Sequence, residues 1–262
     1  LELRGEVERV VRAPTEAILT VAENGIRRWN GFAGGRIRLA LAPTIPGQCS
    51  ETLLKECGRL AREYDVGLHT HLVETKVQAV YAWRRWGETL VARLADLGLL
   101  GPRFVGAHGV WLTEDDIARL ADGGASVAHN PASNLKLGSG IAPIRELLDR
   151  GVNVGLGTDG SMSSDNQDMF EAMRFAALLS KVRFPHQPEG WIGARTAWEM
   201  ATTGSARLLG LADDIGAIAP GRKADLALLR ADSPFLRPLN HAVNALVYAE
   251  TGADVDTVLV DG

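Results

Sequence analysis

The chain has 262 residues, of which 46% are apolar and 23% are charged, so its composition is that of a globular protein and excludes a disordered one. Lys and Arg total 28 against 32 for Asp and Glu, which leaves a net charge of −4 and no basic excess for binding nucleic acid or an anionic membrane. No apolar run approaches the length of a membrane span, and Cys49 and Cys57 form neither a disulfide framework nor a metal-type pair, so we expect a cytoplasmic protein.

The middle of the sequence alternates short apolar runs with amphipathic helical stretches. The apolar runs predict five strands, at residues 36–43, 66–72, 104–108, 126–129 and 152–159. The amphipathic stretches predict helices at residues 14–29, from Ser50 to Tyr64, from about Val77 to Leu97, after Thr113, between Pro143 and Gly151, and at residues 166–181 and 193–209.

Two local signals support these helix boundaries. Thr113 with Asp116 resembles a capping box in which Asp stands where Glu or Gln is usual. Pro143 near the start and Gly151 just past the end of the following helix are the expected asymmetry.

The strand–helix repeats favour a parallel sheet with helical crossovers, in either a doubly wound sheet or a TIM-type (β/α)8 barrel. Polar residues mark the carboxyl ends of four predicted strands: His71, His108, His129 and Asp159. A barrel brings all its strand ends into one mouth, whereas an open sheet spreads them along an edge. The sequence therefore predicts an α/β barrel, of which five of the eight strands are recognisable.

The predicted secondary structure changes after residue 212. Short apolar strands are predicted at residues 215–219, 224–229, 245–248 and 257–260, with turns at Pro220-Gly221 and Thr251-Gly252. We interpret residues 213–262 as part of a small β domain, appended to a barrel that occupies residues 1–212.

The sequence His69-Thr70-His71-Leu72-Val73-Glu74 ends the second predicted strand. Residues two apart in a strand share a face, so His69 and His71 are expected to point into the barrel, with Glu74 in its mouth. Imidazole binds zinc and similar divalent ions, and a nearby carboxylate can shuttle protons. The alternative is a pair of core histidines followed by a solvated glutamate.

Two further strands end in histidine, His108 and His129, and either residue taken alone is more often structural than catalytic. The Pro131 and Asn134 that follow His129 fit ordinary loop chemistry equally well.

The last predicted strand ends in Gly155-Leu156-Gly157-Thr158-Asp159-Gly160, which lacks the spacing of a phosphate-binding glycine loop. Asp159 could hold a metal and accept a proton from its water. The alternative is a helix N-cap, a role for which Asp165 is better placed. The shared position of His71, Glu74, His108 and Asp159 at the carboxyl ends of strands favours one site over scattered core residues.

The stretch from residue 67 to residue 181 resembles the metal-dependent amidohydrolase superfamily, in its branch of cytosine deaminases, chlorohydrolases and deaminases of adenosine derivatives. The resemblance lies in four segments: HTHLVE, GAHGVWLTEDD, VAHNPASNLKLGSGIAPIRELLDRGVNVGLGTDG and SSDNQDMFEAMRFAALL. The segment GAIAPGRKADLAL, from residue 216, is similar to the place where these enzymes return to a small β-sandwich domain.

The resemblance implies a role for each matching residue. His71 would be a metal ligand at the end of the fifth barrel strand, and Asp159, after the eighth, would bind the metal and take a proton from water. Glu74 would be the proton shuttle, and His108 would orient the attacking hydroxide or polarise the scissile centre. The substrate would lie near Asn130, Asn134 and the loop at residues 44–49, where Gln48 could contact a heterocycle edge.

The chain departs from the family pattern in two places. The family has a His-x-His pair of ligands on its first barrel strand, and this sequence lacks it, so we expect the chain to be a segment that starts after the third strand. Thr44 stands where members that act on adenosine-type substrates often carry histidine, so the resemblance does not specify a nucleoside.

The function implied is that of a metal-dependent hydrolase, a deaminase that replaces an amino group on a nucleobase-like or triazine-like heterocycle. Its cofactor would be one divalent ion, zinc or alternatively iron, and its partner a small heterocyclic substrate, with a homo-oligomer left open. The alternative is a metal-free barrel relative that serves as a binding or assembly protein, which the missing ligand pair motivates.

Overall fold

The computed structural model describes residues 14–262, so residues 1–13 of the predicted barrel domain lie outside it. The strands are β1 (Ala40–Leu41), β2 (Gly67–Leu72), β3 (Phe104–His108), β4 (Ser126–His129), β5 (Asn153–Leu156), β6 (Leu226–Leu229) and β7 (Val255–Leu259). The helices are α1 (Thr15–Trp29), α2 (Glu51–Glu63), α3 (Lys76–Trp86), α4 (Leu90–Asp96), α5 (Glu114–Asp122), α6 (Pro131–Lys136), α7 (Ile144–Asp149), α8 (Ser161–Ser164), α9 (Met169–Arg183), α10 (Ala194–Glu199), α11 (Ser205–Leu208) and α12 (Ala242–Tyr248). Short 3₁₀ turns lie at Pro46–Gln48 and Pro188–Gly190, and a π-helical turn joins α10 to α11 at Met200–Gly204.

Strands β1 to β5 form one parallel sheet whose spatial order is the same as their order in the chain. A doubly wound sheet reverses its order at a switch point, and this sheet does not. The arrangement is that of successive strands of a (β/α)8 barrel, as predicted.

The register of the sheet brings the carboxyl ends of its strands level. Leu72 on β2 pairs with His108 on β3, and His129 on β4 pairs with Leu156 on β5. Along β2, Leu68, Thr70 and Leu72 are buried on one face, while His69 and His71 share the other. The predicted common orientation of the two histidines is confirmed.

Side-chain caps fix several helix starts. The Ser50 hydroxyl accepts from the Leu53 N–H at 3.1 Å, and Thr113 and Asp116 form the predicted capping box before α5. Asp168, and not the predicted Asp165, caps α9 by accepting from the Phe170 N–H.

The single long helix predicted from Val77 is wrong. Gly87 ends α3 in the left-handed conformation, with a φ of 73°, and the hydroxyl of Thr89 then caps α4 by accepting from the Ala92 N–H. Glycine is the one residue type that adopts this conformation without strain, so Gly87 could have predicted the break from the sequence.

The C-terminal region contains two of the four predicted strands, β6 and β7, which pair antiparallel. No strand forms at residues 215–219, and residues 245–248 belong to α12, where the His241 side chain accepts from the Asn244 N–H. A short apolar run is compatible with either a strand or a buried helix, which is why that prediction failed. A complete β-sandwich and the boundary at residue 212 stay predictions.

Among residues 14–262, none of the helices combines the length and the apolar character needed to cross a membrane.

Gly204 sets how closely the π-helical turn packs on the sheet. A Cβ at this position would overlap the carbonyl oxygen of Val154 on β5. The Gly204 backbone itself is ordinary right-handed helix, with φ −64° and ψ −47°. The absence of a side chain is therefore required by the close approach and not by the backbone angles.

We expect Gly204→Ala to lower the free energy of unfolding by about 1–3 kcal/mol, because overpacking outweighs the gain of about 1 kcal/mol that alanine normally brings to a helix. Gly25→Ala is the matched control, since Gly25 lies inside α1 and a Cβ there would meet only Leu39 Cδ1, at 3.8 Å. Chemical denaturation of both variants checks the expectation, and a Gly204→Ala protein as stable as the control would contradict it.

Candidate active site

The carboxyl ends of the parallel strands enclose a cavity of about 220 Å³. Its lining is drawn from all five strands or the loops that follow them, and consists of Ala42, Thr44, His69, Thr70, His71, Ala107, His108, Asn130 and Asp159. His71, His108 and Asp159, which are far apart in the sequence, therefore face one space, as the sequence analysis predicted.

The Thr44 carbonyl holds His71 in one orientation. This oxygen lies 2.7 Å from Nδ1 of the ring and also accepts from the His71 backbone N–H at 3.1 Å. A carbonyl oxygen can only accept, so Nδ1 carries the ring hydrogen and Nε2 keeps its lone pair. This is the tautomer that a histidine needs to bind a metal through Nε2.

His108 is also held in one orientation, by the Asn134 side chain, which does not line the cavity. Its Nδ1 lies 2.9 Å from Oδ1 of Asn134, and both side chains are buried. Nε2 lies 4.0 Å from Oδ2 of Asp159, and the ring stacks on His71 with centroids 5.4 Å apart.

Asp159 is ionised by its surroundings. Burial acts to raise its pKa and is the largest single effect, but donation from the Ser133 hydroxyl and the Gly160 N–H, helped by His108 and His71, lowers the pKa below its usual value. The Ser133 Oγ lies 2.6 Å from Oδ2, and the Gly160 nitrogen lies 2.7 Å from Oδ1. The side chain is thus a carboxylate that can attract a cation or accept a proton.

Glu74 lies two residues beyond the end of β2. Its backbone N–H donates to Oε1 of Gln78 at 2.8 Å, and its own Oε1 accepts from the Ser139 hydroxyl at 3.4 Å. One carboxylate edge of Glu74 is therefore left to interact with other groups.

The residues fit a divalent metal ion. Within residues 14–262, His71, Glu74 and His108 form a group whose ligand atoms all lie within 4.8 Å of one another. Imidazole nitrogen and carboxylate oxygen are the donors that zinc accepts in catalytic sites. The sequence analysis named His71 and Asp159 as ligands, and the structure adds donor atoms from Glu74 and His108 beside them.

The three predicted substrate-binding residues do not lie together. Asn130 lines the cavity, next to Gly157, where a Cβ would overlap the Asn130 side chain. Asn134 lies behind His108, with only 1% of its surface exposed. Gln48 lines a separate cavity of about 240 Å³, with Tyr81 among its other walls.

Sequence reasoning missed Thr44, Ser133 and Ser139 as partners of the site residues. Thr44 acts through its backbone carbonyl, so its side-chain identity gives no signal. Ser133 and Ser139 lie in the segment that follows β4, and only the path of that segment across the strand ends shows which carboxylate each hydroxyl reaches.

His129 ends β4 but does not face the cavity. It packs beside Ile144 of α7 and Ala176 of α9, and its Nδ1 has no hydrogen-bond partner among the described residues. Burial, and secondarily the neighbouring His108, lowers the pKa of His129 to about 3. Of the histidines at strand ends, this one is a core residue.

The sheet is that of a TIM-type barrel, and the donor atoms at its carboxyl edge suit a divalent ion. The sequence profile of the Amidohydrolase family matches residues 2–262, and the chain belongs to this family.

The chain is similar in sequence to two deaminases over most of its length. The chain is 46% identical over 237 residues to the 5'-deoxyadenosine deaminase of Methanothermobacter thermautotrophicus, which covers 90% of the chain and 55% of that protein. It is 41% identical over 259 residues to the 5-methylthioadenosine/S-adenosylhomocysteine deaminase of Caldanaerobacter subterraneus subsp. tengcongensis, which covers 99% of the chain and 59% of that protein. The chain thus spans a little over half the length of these relatives.

A solved structure with bound zinc has the same fold. The adenosine deaminase from Xanthomonas campestris matches with a TM-score of 0.88 and 34% identity, over 93% of the chain and 54% of that protein. This similarity confirms the predicted amidohydrolase resemblance and its TIM-barrel fold.

We expect the buried, neutral His129 to lower the free energy of unfolding as the pH falls. Its pKa in the folded protein is about 3, against an ordinary histidine pKa of 6.5, so below pH 6.5 the unfolded chain binds a proton that the folded chain does not. At 1.36 kcal/mol per pH unit, wild-type stability should drop between pH 7 and pH 5 by about 2 kcal/mol more than that of His129→Leu. Urea denaturation at the two pH values, with the exposed His186→Leu as control, measures this, and an equal drop in wild type and His129→Leu would contradict it.

Proposed function

We propose that the full-length protein is a metal-dependent deaminase, which replaces an amino group on a nucleobase-like heterocycle with a hydroxyl group derived from water. The observation that supports this most is the single cavity onto which His71, His108 and Asp159 face, with Glu74 close to the two histidines. A metal-type donor set and an acid–base pair in one cavity are what hydrolytic deamination requires.

His71 and Asp159 would hold the ion, with Glu74 and His108 near enough to assist. We propose zinc as that ion, with iron as the alternative, because the neighbour from Xanthomonas campestris contains zinc. When bound, such an ion makes hydroxide available at neutral pH by lowering the pKa of water from about 15.7 to about 7.

Asp159 and Glu74 would each carry out part of the proton transfer. Asp159, ionised at neutral pH, accepts the proton of the attacking water at Oδ2, the oxygen nearest His108. Glu74 would pass one of the two protons of the water to the ring nitrogen beside the attacked carbon. The proton held by Asp159 would return through Glu74 to the departing amine, so that water supplies both protons and the amine leaves as ammonia. Each such transfer contributes about 10²–10⁴-fold to the rate.

His108 and Asn130 complete the roles. Held by Asn134, His108 keeps its Nε2 directed at the reacting group, where its lone pair would accept a hydrogen bond from the attacking water and orient it. The Asn130 amide lies in the cavity wall, where it can donate to or accept from a heterocycle edge.

The substrate class we propose to test first is adenosine derivatives. Both relatives described above are named for deamination of such compounds, and they share 46% and 41% identity with this chain. An adenine ring carries the exocyclic amino group and adjacent ring nitrogen that the proposed roles of Asp159 and Glu74 require.

We expect Glu74→Gln to lower kcat by about 10²–10⁴-fold in the full-length, zinc-loaded protein, because the amide cannot pass a proton to the substrate. Bound zinc should be retained. The change in absorbance as an adenosine derivative is deaminated measures kcat, and metal analysis measures zinc. Glu63→Gln, an exposed change at the end of α2, is the control, and an unchanged kcat in Glu74→Gln would remove this residue from the mechanism.

We expect His71→Ala to weaken zinc binding by at least about tenfold, because it removes a proposed ligand whose orientation is preset by Thr44. The exposed His186→Ala should bind zinc as the wild type does. Competition with a chromophoric chelator measures both. Wild-type protein that binds no metal would instead favour the alternative function, a metal-free barrel that binds a partner without turnover.

A further inference from the structure

The geometry points to Ser133 and Asn134 as a pair of positioning residues, which orient Asp159 and His108 from consecutive places in the chain. This inference rests on the proposed function, since it concerns how that site is held. The pair lies in α6, and at most 1% of the surface of either residue is exposed.

Ser133 acts on Asp159. Its hydroxyl donates to Oδ2 at 2.6 Å, a short contact to the oxygen that is nearest His108. The other oxygen, Oδ1, is held by the N–H of the adjacent Gly160. Both carboxylate oxygens therefore have a fixed donor, and the Ser133 bond is the one that comes from outside the Asp159 loop.

A serine inside a helix ordinarily donates to the carbonyl four residues earlier or points to solvent. Ser133 does neither, because its hydroxyl is fully buried and directed at the carboxylate of another strand end. Local helix stability therefore does not explain this hydroxyl.

Asn134 acts on His108. Its Oδ1 lies 2.9 Å from Nδ1, which fixes the tautomer that leaves Nε2 directed toward Asp159, 4.0 Å away. Its location behind the ring, rather than in the cavity wall, indicates a role through His108 and not through direct contact with the substrate.

The topology explains how neighbouring residues reach two different strands. Helix α6 follows β4 directly, and β4 lies between β3 and β5 in the sheet. Consecutive helical residues point about 100° apart, so one residue can face the end of β3 and the next the end of β5. The start of α6 thus sets the separation between His108 and Asp159.

The test compares Ser133→Ala with Ser126→Ala in the full-length protein. Ser126 is also buried, and its hydroxyl accepts from Asn153 Nδ2 at 3.0 Å, but it lies at the opposite end of β4. We expect Ser133→Ala to bind zinc about 10-fold more weakly and to lower kcat about 10–100-fold, with KM changed less than about twofold. Ser126→Ala should leave zinc affinity and kcat unchanged, whatever its effect on stability.

Asn134→Ala is expected to lower kcat by a similar factor, because it leaves the His108 ring free to turn. Ser133→Thr keeps the hydroxyl and should bind zinc within about threefold of the wild type. If Ser133→Ala does not fold, Ser133→Thr provides the test. Should Ser133→Thr bind zinc as weakly as His71→Ala does, the proposal would be overturned.

Zinc affinity and kcat in Ser133→Ala equal to those of Ser126→Ala would likewise overturn it. If the wild-type protein binds zinc but deaminates no heterocyclic amine, the proposed function fails alone. The zinc affinities of the two serine variants still decide the role of Ser133 in that case.

Discussion

The parallel register of the central sheet is the constraint on which the rest depends. Hydrogen bonding that pairs Leu72 with His108, and His129 with Leu156, makes successive strands end at the same level. Because every crossover returns the chain to the same edge of the sheet, residues just beyond each strand meet whatever their distance in sequence. A slip of one residue in β2 would turn His69 and His71 to the opposite face.

Four groups around the cavity hold the site residues by hydrogen bonds. The Thr44 carbonyl and the Asn134 amide each hold an Nδ1, while Ser133 and Ser139 each hold a carboxylate oxygen. Such partners fix tautomers and rotamers before any ligand arrives, so little ordering remains to be done on binding. The chemistry proposed for the site requires this preorganisation as much as it requires His71, His108 and Asp159 in the cavity and Glu74 beside the two histidines.

The sequence predicted β2, β3 and β4 closely, because apolar runs bounded by turn residues leave few alternatives. It also predicted that His71, His108 and Asp159 share a cavity, since a barrel has one mouth. It could not separate His129 from the others, because a strand-end histidine looks the same whether its ring faces the mouth or α9. The direction of a loop residue such as Gln48 follows from packing, here against α3, and no local sequence pattern encodes that packing, so its place in a separate cavity could not be predicted.

His108 and Asp159 both have left-handed backbones, with φ values of 73° and 61°. Residues other than glycine adopt this conformation at a cost of about 1–2 kcal/mol each. Glycine in either position would relieve that strain and remove a side chain that faces the cavity. At the partly exposed Asp159, selection for thermal stability and selection for the proposed chemistry therefore oppose each other. A stabilising Asp159→Gly found in a mutational screen would be expected to abolish that chemistry.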